Sequence, residues 1–531
     1  MRTLHKLSLF QLTLPQLMLR RAALGLAATS LLMLNACQRP ADSVITPQET
    51  RVKSPTGRLA APVQFYVLTD GNQLLLLSSD NAGSPISTVS VMGLGMNERL
   101  VAIDFRPATG QLYGVTNASR LYMINRLTGM ARALGTGPFS PALTGDVTAF
   151  DFNPTVDRLR VVTNQGQNLR LNPETGTTVA TDGMINGVAG AAVSGAAYTN
   201  NFAGATTTVL YDIDPVTDRL YRQDPPNNGT LVMVGSLGVD IAGAGGFDIA
   251  PNGAALATLG RSGFNAELYE INLATGQAEK VGDLPATSSI IGLAIPTAPV
   301  AFAVDGFNRL MIFDPTTSAA PIMKTLTGLQ SGEMLVAIDF RPANAQLYGV
   351  SNQSRMYTIN TSNGATTMIG SGPFSPAVEG ADIGMDFNPT VDRIRLVSST
   401  GQNLRLHPDL GTVASTDGRL NPDSPGITGA AYTNNFAGAT TTTLFNIDSM
   451  TDQLTRQVPP NDGTQQVVGS LGVNIEGANG FDIGGTTGTA YALLRTGNQS
   501  RVYQINLTTG AATPGMMFPA LVQGMAVGLG F

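Results

Sequence analysis

The feature that most constrains this chain is that it repeats itself. Val101-Ala-Ile-Asp-Phe-Arg-Pro107 returns as Val336 to Pro342, Asp151-Phe-Asn-Pro-Thr-Val-Asp-Arg158 as Asp386 to Arg393, and Gly166-Gln-Asn-Leu-Arg-Leu171 as Gly401 to Leu406. Each pair is displaced by 235 positions, and Gly195 to Thr208 returns as Gly429 to Thr442 displaced by 234. Such a chain folds as two copies of one unit or as one array running through both. The copies meet near Pro296 to Pro299, which sets domain boundaries at 63–297 and 298–531.

A shorter unit lies inside each copy. Leu121-Tyr-Met-Ile-Asn125 with Thr128-Gly129, Leu268 to Asn272 with Thr275-Gly276, and Val502 to Asn506 with Thr509-Gly510 are each an apolar strand, an Asn and a tight turn. The turn position recurs ten times, from Asp80 to Asn506, at the spacing of a four-stranded propeller blade. Sixty glycines, 31 prolines and only 13% charged residues suit short strands joined by turns, so the fold class is all-β. The expected architecture is a β-propeller of two tandem five-bladed units. Each copy ends in a lone apolar strand, Ile290 to Ile295 or Val522 to Leu529, placed to complete its first blade and hide two sheet edges. The alternative is one ten-bladed ring, with Pro296 to Pro299 as a hairpin turn between Ile295 and Val300.

Ahead of the copies, Arg20-Arg21 precede an apolar run from Ala22 to Met33 and then Leu34-Asn35-Ala36-Cys37. A positive region, a short apolar region and a small residue before the cleavage point make a secretory signal over 1–37, for which Met18 serves equally well as a start. The Leu-x-Ala-Cys ending resembles the lipobox of bacterial lipoproteins, which implies lipidation at Cys37. Cys37 is the only cysteine, which excludes a disulfide within the chain. Residues 38–62, rich in Pro, Ser and Thr, read as a flexible tether. The expectation is an exported protein held on the lipid bilayer by its N-terminal anchor, at the outer membrane or cell surface rather than the inner membrane.

Charge and composition remove several functions. Formal net charge is -6, and setting aside the four cations of residues 1–37 leaves about -10 on the body, so no nucleic-acid partner is expected. Beyond His5 the sole histidine is His407, which excludes histidine triads and multi-histidine metal sites. Tryptophan is absent, against quinone-dependent propeller dehydrogenases. No cofactor, metal or catalytic residue is predicted.

The repeated strings, Ile-Asp-Phe-Arg-Pro, Asp-Phe-Asn-Pro-Thr-Val-Asp-Arg, Gly-Gln-Asn-Leu-Arg and Ala-Tyr-Thr-Asn-Asn, resemble the bacterial family known as domain of unknown function 4394. The resemblance spans about residues 64–297 and 300–531. It implies a propeller-type fold and export to the envelope, and carries over no functional residue.

Candidate ligand contacts come from two repeated strings. In the first, Asp157-Arg158 and its copy Asp392-Arg393 offer opposite charges to a polar or anionic ligand; the structural alternative is a turn opened by Asn153-Pro154, with Asp157 and Arg158 as a solvated pair. In the second, Tyr198, Asn200 and Asn201, with Tyr432, Asn434 and Asn435, set amides beside aromatic rings as for a sugar or peptide. A loop pinned by its own hydrogen bonds is the alternative there. Asp212, Asp214 and Asp218 suggest a calcium loop, but Asn446 replaces the first in the second copy and an EF-hand's glycine and late Glu are missing, so they read as a turn. The resulting functional expectation is a non-catalytic binding module for an envelope protein or polysaccharide. A carbohydrate-active hydrolase using paired carboxylates, and a structural envelope spacer, are the alternatives.

Overall fold

A computed structural model describes residues 61 to 531, except 147, 262–264, 287–288, 423–424 and 478. The signal segment, Cys37 and nearly all of the tether lie outside the described residues.

The body is all-β and propeller-like: ten four-stranded antiparallel sheets, with two single-turn 3-10 segments at Pro226–Asn228 and Pro460–Asp462. One sheet runs through the repeated Asp151 to Arg158 string, as Thr148–Asn153, Arg158–Thr163, Asn168–Leu171 and Thr178–Thr181. Its turns follow from local chemistry. In the Asn-x-x-Thr-Gly unit the Asn125 side-chain oxygen accepts the N–H groups of Leu127 and Thr128, and Gly129 closes the turn at φ 75°. A Cβ at Gly129 would stand 2.1 Å from the Ser90 carbonyl, so only glycine fits.

Strand pairing decides the fate of the lone terminal strands. Ile290–Ala294 pairs with Gln64–Thr69, and Val522–Val527 pairs with Ala301–Asp305. The hairpin across Pro296 to Pro299 required by the ten-bladed alternative therefore does not form. In the first copy the edge strands Ile290–Ala294, Leu100–Phe105, Thr148–Asn153, Gly195–Tyr198 and Gly243–Ile249 pack one on the next, and the last returns to the first. The second copy shows the same cycle through Val522–Val527, Leu335–Arg341, Ile383–Asn388, Ile427–Tyr432 and Gly480–Ile483. We call these ten the inner strands.

Apolar residues alternate into the gaps between sheets. Leu68, Leu74, Leu100, Ile103 and Phe105, for example, form one buried layer between the first two sheets. Each such side chain contributes about 1.5–3 kcal/mol by leaving water. The copies also share a core: Tyr113 and Phe152 belong to the same cluster as Phe302 and Phe340. Arg106 Nη1 donates across this junction to the Ala345 carbonyl at 2.9 Å.

Candidate functional site

Aligning the five inner strands of the first copy puts Asp104, Asp151, Ala197, Asp248 and Ala294 at one level, each followed by Phe105, Phe152, Tyr198, Ile249 or Ile295. The second copy has Asp339, Asp386, Ala431, Asp482 and Ala526 at the same level. Three carboxylates thus converge in each copy, with one oxygen from each lying within 4.8 Å of the others. All six aspartates are buried.

The carboxylates collect the backbone N–H groups at this level. Asp104 accepts from Phe105 at 2.7 Å and, on the neighbouring inner strand, from Phe152 at 2.8 Å. Asp248 does the same for Ile249 and Ile295, both at 2.6 Å, and Asp151 Oδ1 accepts from Tyr198 at 3.1 Å. Five N–H groups are thereby satisfied by five of six oxygens, and three aspartates suffice for five blades. The sixth oxygen, Asp151 Oδ2, has no hydrogen-bond partner. In the second copy Asp339 holds Phe340 and Phe387, and Asp482 holds Ile483 and Val527. Asp386 is approached by the Tyr432 N–H and by the Asp482 carboxyl, though neither contact reaches full hydrogen-bonding geometry.

Burial is the first cause of an upward pKa shift in all six, since a charged carboxylate loses its water. Neighbouring negative charge adds to it: Asp248 acts on Asp104, Asp104 and Asp248 act on Asp151, Asp482 acts on Asp339, and Asp339 and Asp482 act on Asp386. Asp248 is raised to about 6 and Asp482 to about 7, restrained by the two N–H groups each accepts. Each trio thus disfavours three bare carboxylate charges and favours a positive partner or a proton among them. Sequence reasoning did not bring these three carboxylates together in either copy. The signal was the Asp in Ile-Asp-Phe, Phe-Asp-Phe and Phe-Asp-Ile, three strings that only the ring register brings together.

The predicted contact residues have mainly structural partners. Asp157 does not form a solvated pair with Arg158. It is buried and takes a bidentate bond from Arg106, Nε to Oδ1 at 2.8 Å and Nη2 to Oδ2 at 2.5 Å, while Arg158 donates only to the Asp157 carbonyl. Asp392 is bound in the same way by Arg341, and Arg393 donates to the Asp392 carbonyl. Arg106 and Arg341 stand in the repeated Ile-Asp-Phe-Arg-Pro string, and each reaches from one blade to the next. Tyr198 and Tyr432 are buried, their hydroxyls accepting from Arg160 at 2.7 Å and Arg395 at 3.4 Å. Asn200 and Asn434 pin their loops by donating to the carbonyls of Thr207 and Thr441. Asn201 and Asn435 are fully buried at the ends of inner strands, with neither amide atom partnered. Asp214 and Asp218 cap backbone N–H groups of Val216 and Ile241, as turn residues do.

At the opposite end of the first copy's inner strands lies a cavity of about 310 Å³, bordered by Arg99, Asp146, Gly243, Gly245, Gly260 and Ile290. In the second copy Asn479 stands in place of Gly245 and Arg495 in place of Gly260. Ala242 N donates to Gly260 O just as Glu476 N donates to Arg495 O, which fixes the equivalence. Asn479 Oδ1 accepts the Arg495 N–H at 2.9 Å, and Arg495 pairs with Glu476 at 3.5 Å.

Residues 73–294 and 309–526 each match the family described as domain of unknown function DUF4394. The chain belongs to that family. Both DUF4394 spans contain a complete aspartate trio, together with the Arg106–Asp157 or Arg341–Asp392 pair. No curated protein matches the chain. Among solved structures, it is similar to the extracellular domain of the one component system BT4673 from B. thetaiotaomicron, at 12% identity and a TM-score of 0.24. That alignment covers 85% of this chain and 58% of the other. Hydrazine synthase from Kuenenia stuttgartiensis aligns at 11% identity and a TM-score of 0.25, over 78% of this chain and 98% of that one. Likeness at this level carries no argument about a DUF4394 protein. Among the described residues no helix is long and apolar enough to cross a membrane.

Proposed function

We propose that this protein is an exported, lipid-anchored, non-catalytic binding module built as two five-bladed rings, which takes a small ligand or a segment of an envelope protein or polysaccharide. The two closed cycles of inner strands, each completed by its own terminal strand, support the ring count. The leader ending in Cys37 supports the anchor.

The observation that carries the binding reading is the cavity at the mouth of the first ring. It combines space for a small ligand, a largely apolar wall and two opposite charges, Arg99 and Asp146. A glycosidase would need two carboxyls across an open cleft. Among the described residues the cavity has one at its border, Asp146, and the clustered aspartates are buried.

The full-length protein in detergent is screened by thermal shift against small sugars, peptides and amphiphiles, beside Gly260→Arg. A Cβ at Gly260 meets nothing nearer than 3.6 Å, so the chain accommodates the change and the arginine fills the cavity. A ligand that stabilises the parent and not the variant supports the reading. Hydrolytic turnover abolished by a single carboxylate substitution would overturn it. For the anchor, metabolic labelling with palmitate is expected to mark the protein, and Cys37→Ser to abolish the label.

A further inference from the structure

We propose that each aspartate trio holds one hard, oxygen-seeking cation, with calcium the ion that fits best, so that the two rings bind two cations per chain. The inference is independent of the cavity at the first ring's mouth and stands or falls separately from it.

The geometry admits a shared ion. Oxygens bound to one calcium at about 2.3–2.6 Å lie no more than about 5 Å apart, and the three carboxylate oxygens here lie within 4.8 Å of one another. Calcium also tolerates irregular coordination completed by water or carbonyl oxygens, whereas magnesium demands near-octahedral ligands.

A second observation points inward to a ligand. Buried polar atoms are almost always partnered, yet Asp151 Oδ2 is left over after every N–H at its level has been assigned, and the Asp386 carboxyl is approached only by the Tyr432 N–H and by the Asp482 carboxyl, a second acid rather than a base or a cation. Both side chains are nine-tenths buried or more and belong to the converging sets. The guanidinium nearest by strand register does not fill the gap. Arg160 lies opposite Asp151, but its nitrogens donate to Tyr198, Asn168, Asp182 and Asn227. Arg395, opposite Asp386, is engaged equivalently with Tyr432, Asn403, Asp417 and Asn461. A divalent cation compensates two of the three carboxylate charges of a trio, and one retained proton accounts for the third.

The test uses full-length protein in detergent, stripped with EDTA, dialysed against micromolar CaCl2 and measured by elemental analysis and thermal melting. Two calcium ions per chain are expected, with a rise of about 5–10 °C in melting temperature over the stripped protein at calcium a hundredfold above its Kd. Asp151→Asn keeps a side-chain oxygen for the Tyr198 N–H, and Asp151→Asn and Asp386→Asn each remove the charge. Each is expected to lower the count to one, and the double variant to zero. The proposal is overturned if the wild type retains no cation and melts identically with and without EDTA. It is also overturned if the variants keep two ions, or if Asp151→Asn melts at or above the calcium-loaded wild type, since an amide donor would then be replacing a shared proton.

Discussion

The two copies carry the same arginine–aspartate clasp in different surroundings. In the first, Arg106 and Asp157 have side chains 1% and 8% exposed, and the second copy seals them: Ala345 accepts from Arg106, and Thr361 Oγ1 donates to Asp157 at 3.4 Å. In the second, Arg341 and Asp392 are 11% and 38% exposed, and Asp409 gives the arginine another carboxylate at 2.6 Å. One motif therefore has two energetic weights, set by what lies against it rather than by its own residues.

The largest expected effect comes from breaking that clasp on each side. Asp157→Asn strands a buried guanidinium with only Glu174 as counter-charge and is expected to lower unfolding stability by about 3 kcal/mol. Asp392→Asn, screened by solvent and backed by Asp409, is expected to lower it by about 1 kcal/mol or less. Equal losses in urea unfolding would show that the junction between copies does not seal the first clasp.

A second contrast is Asp212 against Asn446. Burial pushes the Asp212 carboxyl up to about 8 against the pull of Arg160. Asn446 Nδ2 donates to Gln457 Oε1 at 2.9 Å, while the matching acceptor, Gln223 Oε1, has no partner unless Asp212 carries a proton. The folded chain keeps that proton up to about pH 8 and the unfolded chain releases it near pH 4, so the folded state binds more protons in between. Stability consequently falls as pH rises from about 4 to 8, by up to about 1.4 kcal/mol per unit. Asp212→Asn is expected to flatten part of that fall, and to match wild type near pH 5 while exceeding it at pH 8. A variant less stable than wild type at pH 8 would sink the assignment.

The smallest effect belongs to the ring mouths. Gly260→Arg, which gives the first ring the second ring's residue, is expected to change the melting temperature by no more than about 2 °C. A loss much beyond that would mean that the first mouth cannot accept the second's side chain.

The fold was largely legible because its signals are local. Asn125 with Thr128-Gly129 announces its turn, and the alternating apolar residues around Leu121 announce the strand beside it. The sites were not, because they are made by register across blades. Asp104, Asp151 and Asp248 are separated by 47 and 97 residues and meet only when the ring closes. Asp157 was assigned to its chain neighbour Arg158, although its partner Arg106 lies 51 positions away on the adjoining blade.

The closing strands carry a consequence for how the chain comes together in time. Tyr66 pairs with Ala294, and Ala301 with Val527, so the first sheet of each copy waits for the last strand of that copy. Until then each copy presents two unsatisfied strand edges, a state prone to pairing with the wrong copy because the repeats are so alike. Closure is therefore a non-local step of assembly, joining strands at opposite ends of each copy. A chain cut before Val522 would keep the closing strand pair of its first copy and lose that of its second.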